Sequence, residues 1–117
     1  MKALVVVNPA SGKKDKEPIG EVISRYFPSS KIKYEIHETT KGEKTGDIVR
    51  ARLRHGFDLV VAVGGDGTVS AVVDGLIGSR AALAIIPTGT ENLLARDLAL
   101  PLEIEKAVEL IAAPHKF

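Results

Sequence analysis

Gly64-Gly65-Asp66-Gly67-Thr68 is the stretch of this 117-residue sequence whose residue types and spacing are best suited to chemistry. It follows the apolar run 58–63. It precedes Val69, Val72, Val73, Leu76 and Ile77, whose i, i+3, i+4, i+7, i+8 spacing predicts a helix from about Val69. Three glycines between a strand and a helix lift the Cβ restriction on the backbone and clear space for the oxygens of an anion. The helix N-terminus behind them offers N–H groups without intrahelical acceptors and a partial positive charge. Asp66 is a poor neighbour for a phosphate by itself. It becomes a reasonable one if it holds Mg²⁺ beside the phosphates, directly or through water. The same five residues also fit a tight strand–helix turn in which Asp66 or Thr68 caps the helix.

Three other turns have the same character, and the elements around them explain why they should meet. Residues 3–7, 58–63 and 83–86 are short, continuous and β-branched, as strands covered on both faces are. Residues 32–37 alternate Ile32, Tyr34 and Ile36 with Lys33, Glu35 and His37, which predicts a strand near the sheet edge with one wet face. Helical spacing recurs in Ile19, Val22, Ile23, Tyr26 and Phe27, and in Ile104, Ala107, Val108, Ile111 and Ala112. A weaker helical segment covers 46–55, and Pro101 separates a helix over 91–98 from the last one. The order β-α-β-α-β-α-β-α-α predicts an α/β fold, a layered parallel sheet flanked by helices.

In such a sheet, ligands gather at the carboxyl ends of the strands. The ends here carry Asn8-Pro9-Ala10-Ser11-Gly12, Thr39-Thr40, Gly64–Thr68 and Pro87-Thr88-Gly89-Thr90-Glu91-Asn92. Glycine, small hydroxyls and carboxamides dominate all four. In the last turn, Thr88 and Glu91 also match a capping box, which would account for them without a ligand and leave Gly89, Thr90 and Asn92 unexplained. Asn8 and Ser11 also suit a plain turn.

Composition excludes several functions. Hydrophobic residues make up 44% and aromatics 4%, too few rings for base-stacking platforms. The net charge of +1 sets up no one-sign field for nucleic acid. There is no cysteine, hence no disulfide framework or thiolate metal site. His37, His55 and His115 lack metal-ligand spacing and read as solvated surface residues, and Lys13, Lys14 and Lys16 as a wet helix start. The apolar run after Met1-Lys2 is too short for a signal peptide or a membrane span, so a soluble cytoplasmic domain is expected. A P-loop fails because Val7 stands at its first glycine and Lys14 at its hydroxyl. The dinucleotide fingerprint fails at Ser70, and no acidic residue ends the next strand at Ile85-Ile86-Pro87.

Taken in order, these motifs resemble the catalytic domain shared by diacylglycerol kinases, sphingosine kinases and bacterial lipid kinases. Val7-Asn8-Pro9-Ala10-Ser11-Gly12 resembles the first nucleotide motif and Thr40 the hydroxyl contact after the second strand. Gly64–Thr68 resembles the signature, and 87–92 through Ala95-Arg96-Asp97-Leu98 the fourth motif. The resemblance spans the chain and implies a phosphofructokinase- or NAD-kinase-like N-terminal domain over residues 1–117. It further implies bound ATP and Mg²⁺, and transfer of the γ-phosphoryl group to a lipid hydroxyl such as that of diacylglycerol.

By position, Asn8, Pro9, Ala10, Ser11, Gly12, Thr40, Gly64, Gly65, Asp66, Gly67, Thr68, Val69, Ser70, Ala71 and Thr90 would form the nucleotide site. Asp66 would serve metal and catalysis, with Thr39 a neighbouring substitute for Thr40. Ser70-Ala71 departs from the family's frequent Asn-Glu, and Glu91 from its usual small residue. The resemblance also implies a second, β-rich domain beyond Phe117 that completes the lipid site and brings the catalytic base. The 117 residues alone are therefore expected to be a poor catalyst. Peripheral membrane contact is expected of the full-length protein. NAD kinases carry similar glycine loops, so an NAD kinase-like enzyme is one alternative and a non-catalytic nucleotide-binding module another.

Overall fold

A computed structural model describes residues 1–9, 18–89 and 91–113. The strands are β1 (Lys2–Val7), β2 (Lys33–Glu38), β3 (Leu59–Gly64) and β4 (Ala82–Pro87). The helices are α1 (Ile19–Tyr26), α2 (Thr45–Arg52), α3 (Asp66–Leu76), α4 (Leu93–Asp97) and α5 (Ile104–Ala112). The strands form one parallel sheet in the order β2-β1-β3-β4. The α/β layering expected from the sequence is present, with β2 at an edge.

Alternation along the strands divides the core in two. Ala3, Val5, Leu59, Val61 and Ile86 face one way, against Val22, Ile23 and Phe27 of the α1 segment and Ala107, Val108 and Ile111 of α5. Leu4, Val6, Val60, Ala62 and Ile85 face the other way, against Val49 of α2, Val69 and Val72 of α3 and Ala95 of α4. β1 and β3 are buried along nearly their whole length, which is why they read as unbroken apolar runs. Edge strand β2 keeps its alternation only in part. Ile32 is buried and Tyr34 packs on the core, whereas Ile36 is 42% exposed. Ile36 lies over Gly20 of α1, which has no side chain to cover it.

Two helix starts differ from the periodicity. α3 begins at Asp66 rather than near Val69, with Gly65 as its N-cap and Val69 N–H donating to Gly65 O at 3.1 Å. The apolar stripe starts a turn late because the first turn is built of Asp66, Gly67 and Thr68, which carry no periodic apolar signal. α4 begins at Leu93 rather than Glu91, because Asn92 takes a left-handed conformation with φ 53°. α3 is held tightly against α2: a Cβ on Gly75 would lie 2.6 Å from the Gly46 carbonyl oxygen. Among the described residues, no helix is long and apolar enough to cross a membrane.

Candidate functional site

The strands finish level with one another. Val7 pairs with Glu38 and Val63, and Gly64 with Pro87. The ladder continues one residue into each turn: Asn8 N–H donates to Val63 O at 3.0 Å, Thr39 N–H to Val7 O at 2.8 Å and Thr88 N–H to Gly64 O at 3.0 Å. All four turns therefore emerge at one edge, as the crossover logic requires.

A cleft of about 540 Å³ opens there. Its walls are Asn8 and Pro9 from the β1 turn, Thr39, Thr40, Lys41 and Thr45 from the β2–α2 segment, and Gly67, Thr68 and Ala71 from α3. The amides of Asp66, Gly67 and Thr68 precede the first helical hydrogen bond of α3 and so have no intrahelical acceptor. Together with the exposed Lys41, this end of the cleft is set up for an anion.

The glycines here are required for different reasons. A Cβ on Gly64 would lie 2.6 Å from Thr68 Oγ1, so Gly64 makes room for that buried threonine. A Cβ on Gly89 would lie 2.5 Å from Gly65 Cα, so these two let the third and fourth turns touch. Gly67 has no such reason. It is exposed, helical, without a positive φ, and a Cβ there would meet nothing within 4 Å among the described residues. Glycine inside a helix is less favourable than alanine by about 0.5–1 kcal/mol. The described residues give no steric reason for a glycine at position 67.

Asp66 faces elsewhere. It does not line this cleft but a neighbouring groove of about 370 Å³, with Val69, Ser70, Val73, Leu93, Leu94 and Asp97. Asp66 Oδ1 accepts a hydrogen bond from Leu93 N–H at 2.7 Å, across a separation of 27 residues. The carboxylate thus satisfies the first amide of α4 rather than capping α3. The capping box drawn from Thr88 and Glu91 is not the start of α4, since the N-cap is Asn92. Asn92 instead closes the turn on itself: Gly89 N–H donates to Asn92 Oδ1 at 3.1 Å, and Asn92 Nδ2 donates to Gly89 O at 2.9 Å.

Among the described residues, no group of three His, Cys, Asp or Glu side chains is placed to hold a metal ion. A Mg²⁺ that keeps most of its water needs only one or two carboxylates plus phosphate oxygens. Asp66 offers one such carboxylate, its Oδ2 having no partner among the described residues, but as placed it faces the neighbouring groove and not the cleft.

The sequence reading missed Glu43, which lies behind the β2–α2 wall with its side chain 10% exposed. Glu43 Oε1 accepts from Thr40 N–H at 2.8 Å and from Thr40 Oγ1 at 3.2 Å. Glu43 Oε2 accepts from Thr45 Oγ1 at 2.8 Å and lies 3.1 Å from His37 Nε2. Burial works to raise its pKa. The hydrogen bonds from His37, the Thr40 amide and the Thr45 hydroxyl, with the His37 charge, outweigh that and hold it down at about 2. His37 is accordingly not a solvated surface histidine but a half-buried partner of this carboxylate. Nothing in the spacing of Glu43 marked it. The polar loop containing Gly42 was the only local signal.

Of the residues expected at the site, Asn8, Pro9, Thr40, Gly67, Thr68 and Ala71 come together around the cleft. Gly64 is buried beneath it, and Gly65 contacts the fourth turn. Val69 is buried in the core, and both it and Ser70 border the Asp66 groove on the other side of α3. Ala10, Ser11, Gly12 and Thr90 lie outside the described residues, as do Lys13, Lys14, Lys16 and His115.

The chain is similar to known proteins along nearly its whole length. Residues 2–116 match the model of the diacylglycerol kinase catalytic domain. The chain is 38% identical over 115 residues to a diacylglycerol kinase of Bacillus subtilis strain 168, covering 94% of this chain and 37% of that protein. It is 37% identical over 123 residues to a diacylglycerol kinase of Staphylococcus haemolyticus, covering 97% of this chain and 35% of that one. The crystal structure of a diacylglycerol kinase from Bacillus anthracis superposes with a TM-score of 0.76 at 30% identity, over 95% of this chain and 38% of that one. This chain thus spans little more than a third of the length of these relatives.

Proposed function

The chain belongs to the diacylglycerol kinase catalytic domain family, and on that premise we propose that its cleft holds the phosphates of Mg·ATP for transfer to a lipid hydroxyl such as that of diacylglycerol. The observation that carries this reading is Gly67, a cleft-lining glycine in the first turn of α3 for which the described residues give no steric reason, beside amides without intrahelical acceptors. Thr40, Thr45 and Thr68 add hydroxyl donors, Asn8 a carboxamide and Lys41 a positive charge around the same space. Its volume is within the range of small-molecule sites.

In the proposed reaction the acceptor oxygen bonds to the γ-phosphorus and the bond to the β–γ bridging oxygen breaks. ADP leaves, and the hydroxyl proton passes to a base. Phosphoryl transfer of this kind depends on positioning and charge neutralisation more than on covalent chemistry by the protein. The residues described here hold and orient the donor, and Asp66 is the residue that would hold Mg²⁺. The acceptor site and the base belong to the rest of the longer, two-domain protein, which would work in the cytoplasm and meet its lipid by peripheral contact with the membrane.

Calorimetric titration of the 117-residue chain with ATP in excess Mg²⁺ tests the reading. Saturable one-to-one binding is expected, with diacylglycerol phosphorylation far below that of a full-length relative. No binding at millimolar ATP would sink the proposal, and brisk turnover by this chain alone would refute the division of labour.

A further inference from the structure

The β2–α2 wall of the cleft has little of its own to hold it. It lies beyond the end of an edge strand, and its turn, Thr40–Glu43, is closed by a single backbone bond from Glu43 N–H to Thr40 O at 3.2 Å. Gly42 supplies the positive φ of that turn at 85°. Yet this segment contributes Thr40, Lys41 and Thr45 to the cleft. All three depend on one carboxylate: Thr40 is bound at both its amide and its hydroxyl, Thr45 at its hydroxyl, and Lys41 is carried between Thr40 and Glu43 by the turn.

We infer that Glu43 is a positioning residue for the nucleotide site, a clasp that holds the Thr40–Thr45 wall at the distance a bound triphosphate requires. The inference rests on the proposal that the cleft takes ATP.

Two features separate this role from ordinary loop packing. First, a buried anion beside a phosphate site would repel the ligand unless its charge were absorbed. Here the Thr40 amide, two threonine hydroxyls and His37 surround it, and the carboxylate stays behind the wall instead of lining the cleft. Second, the partners of Glu43 (His37, Thr40 and Thr45) all lie between the end of β2 and the start of α2, so its bonds order this one wall. Preorganising a loop in its bound geometry raises affinity by removing the ordering cost at the moment of binding.

The test measures ATP affinity in excess Mg²⁺ and the thermal midpoint for the wild-type chain, Glu43→Ala, Glu43→Gln and Glu43→Asp. Losing several positioned hydrogen bonds in Glu43→Ala is expected to weaken ATP binding by about tenfold or more and also to lower the midpoint, because the same bonds stabilise the folded carboxylate. Glu43→Gln is expected to restore affinity to within about threefold of wild type. Its amide oxygen still accepts from Thr40, and its amino group donates to the Thr45 hydroxyl. Glu43→Asp keeps the charge but is one methylene short of bridging Thr40 and Thr45, so it should bind as poorly as the alanine variant.

Wild-type affinity in Glu43→Ala, or in Glu43→Asp should the alanine variant not fold, overturns the clasp. So does a Glu43→Gln variant as weak as Glu43→Ala. Failure of the wild-type chain itself to bind ATP is a different result. It overturns the nucleotide reading and with it the role assigned to Glu43.

Discussion

Replacing Gly67 by alanine should separate two quantities that most active-site mutations change together. A Cβ at position 67 meets no atom of the described residues within 4 Å, and the residue sits in the first turn of α3 without a positive φ. Removing glycine's extra unfolded-state freedom should therefore stabilise the chain by about 0.4–1 kcal/mol. The same methyl is added to a residue that lines the cleft, in the turn that carries the amides of Asp66, Gly67 and Thr68. An anion there would be displaced, losing one or more charge-assisted hydrogen bonds at roughly 1.5–3 kcal/mol each. That corresponds to an ATP affinity about ten- to a hundredfold weaker.

Urea unfolding and calorimetric ATP titration read the two effects on one preparation. Gly89→Ala is the contrasting control. Its Cβ would fall 2.5 Å from Gly65 Cα, backbone that cannot step aside, so it should lose about 1–3 kcal/mol of stability. A Gly67→Ala chain that is as stable as wild type or more so, yet binds ATP unchanged, would refute the argument that this glycine clears room for phosphate. A destabilised Gly67→Ala chain would refute the geometry itself.

Two further substitutions separate roles that share a side chain. Asp66→Asn keeps an acceptor for Leu93 N–H, so it should retain stability while losing the Mg²⁺-dependent part of ATP affinity. Asp66→Ala loses both, with a stability decrease of about 1 kcal/mol, comparable to removing a helix cap. Paired titrations with and without Mg²⁺ check this, and an undiminished Mg²⁺ effect in Asp66→Asn would remove the metal role. The Glu43 carboxyl gives a pH signature. Its folded pKa of about 2 lies below the ordinary 4.5, so its contribution to stability is complete above 4.5 and disappears as pH falls through about 2. In urea midpoints, wild type should therefore fall relative to Glu43→Gln across that window. Parallel profiles would contradict the ion-pair and hydrogen-bond arrangement around Glu43.

Much of the architecture was legible because burial leaves a periodic trace. Residues 3–7 and 58–63 read as strands covered on both faces, and β1 and β3 are that. The α1, α3 and α5 stripes fall on the faces that meet the sheet. Helix starts were less legible. Asp66, Gly67 and Thr68 begin α3 through backbone geometry and carry no apolar signal. Asn92 ends the fourth turn with a left-handed conformation that a capping-box pattern does not reveal.

The sequence by itself determined which turns are glycine- and hydroxyl-rich and that all of them leave a parallel sheet at one edge, because strand–helix alternation allows little else. It could not assign a purpose to each residue in those turns. Gly64, Gly65, Gly67 and Gly89 look alike in a string. Only the spatial neighbours show that three of them make room for protein atoms, while Gly67 leaves space for something else. Asp66 meets Leu93 because β4 lies beside β3, a contact across 27 residues that no local spacing records. Glu43 belongs to no periodic pattern, and the alternation that gave His37 to the wet face of β2 did not show the turn that brings Glu43 back against it. Periodicity along a chain reports which face is buried. The identity of the atom on the other side is set by strand order and turn geometry, and that identity distinguishes a glycine that makes room for protein atoms from one that does not.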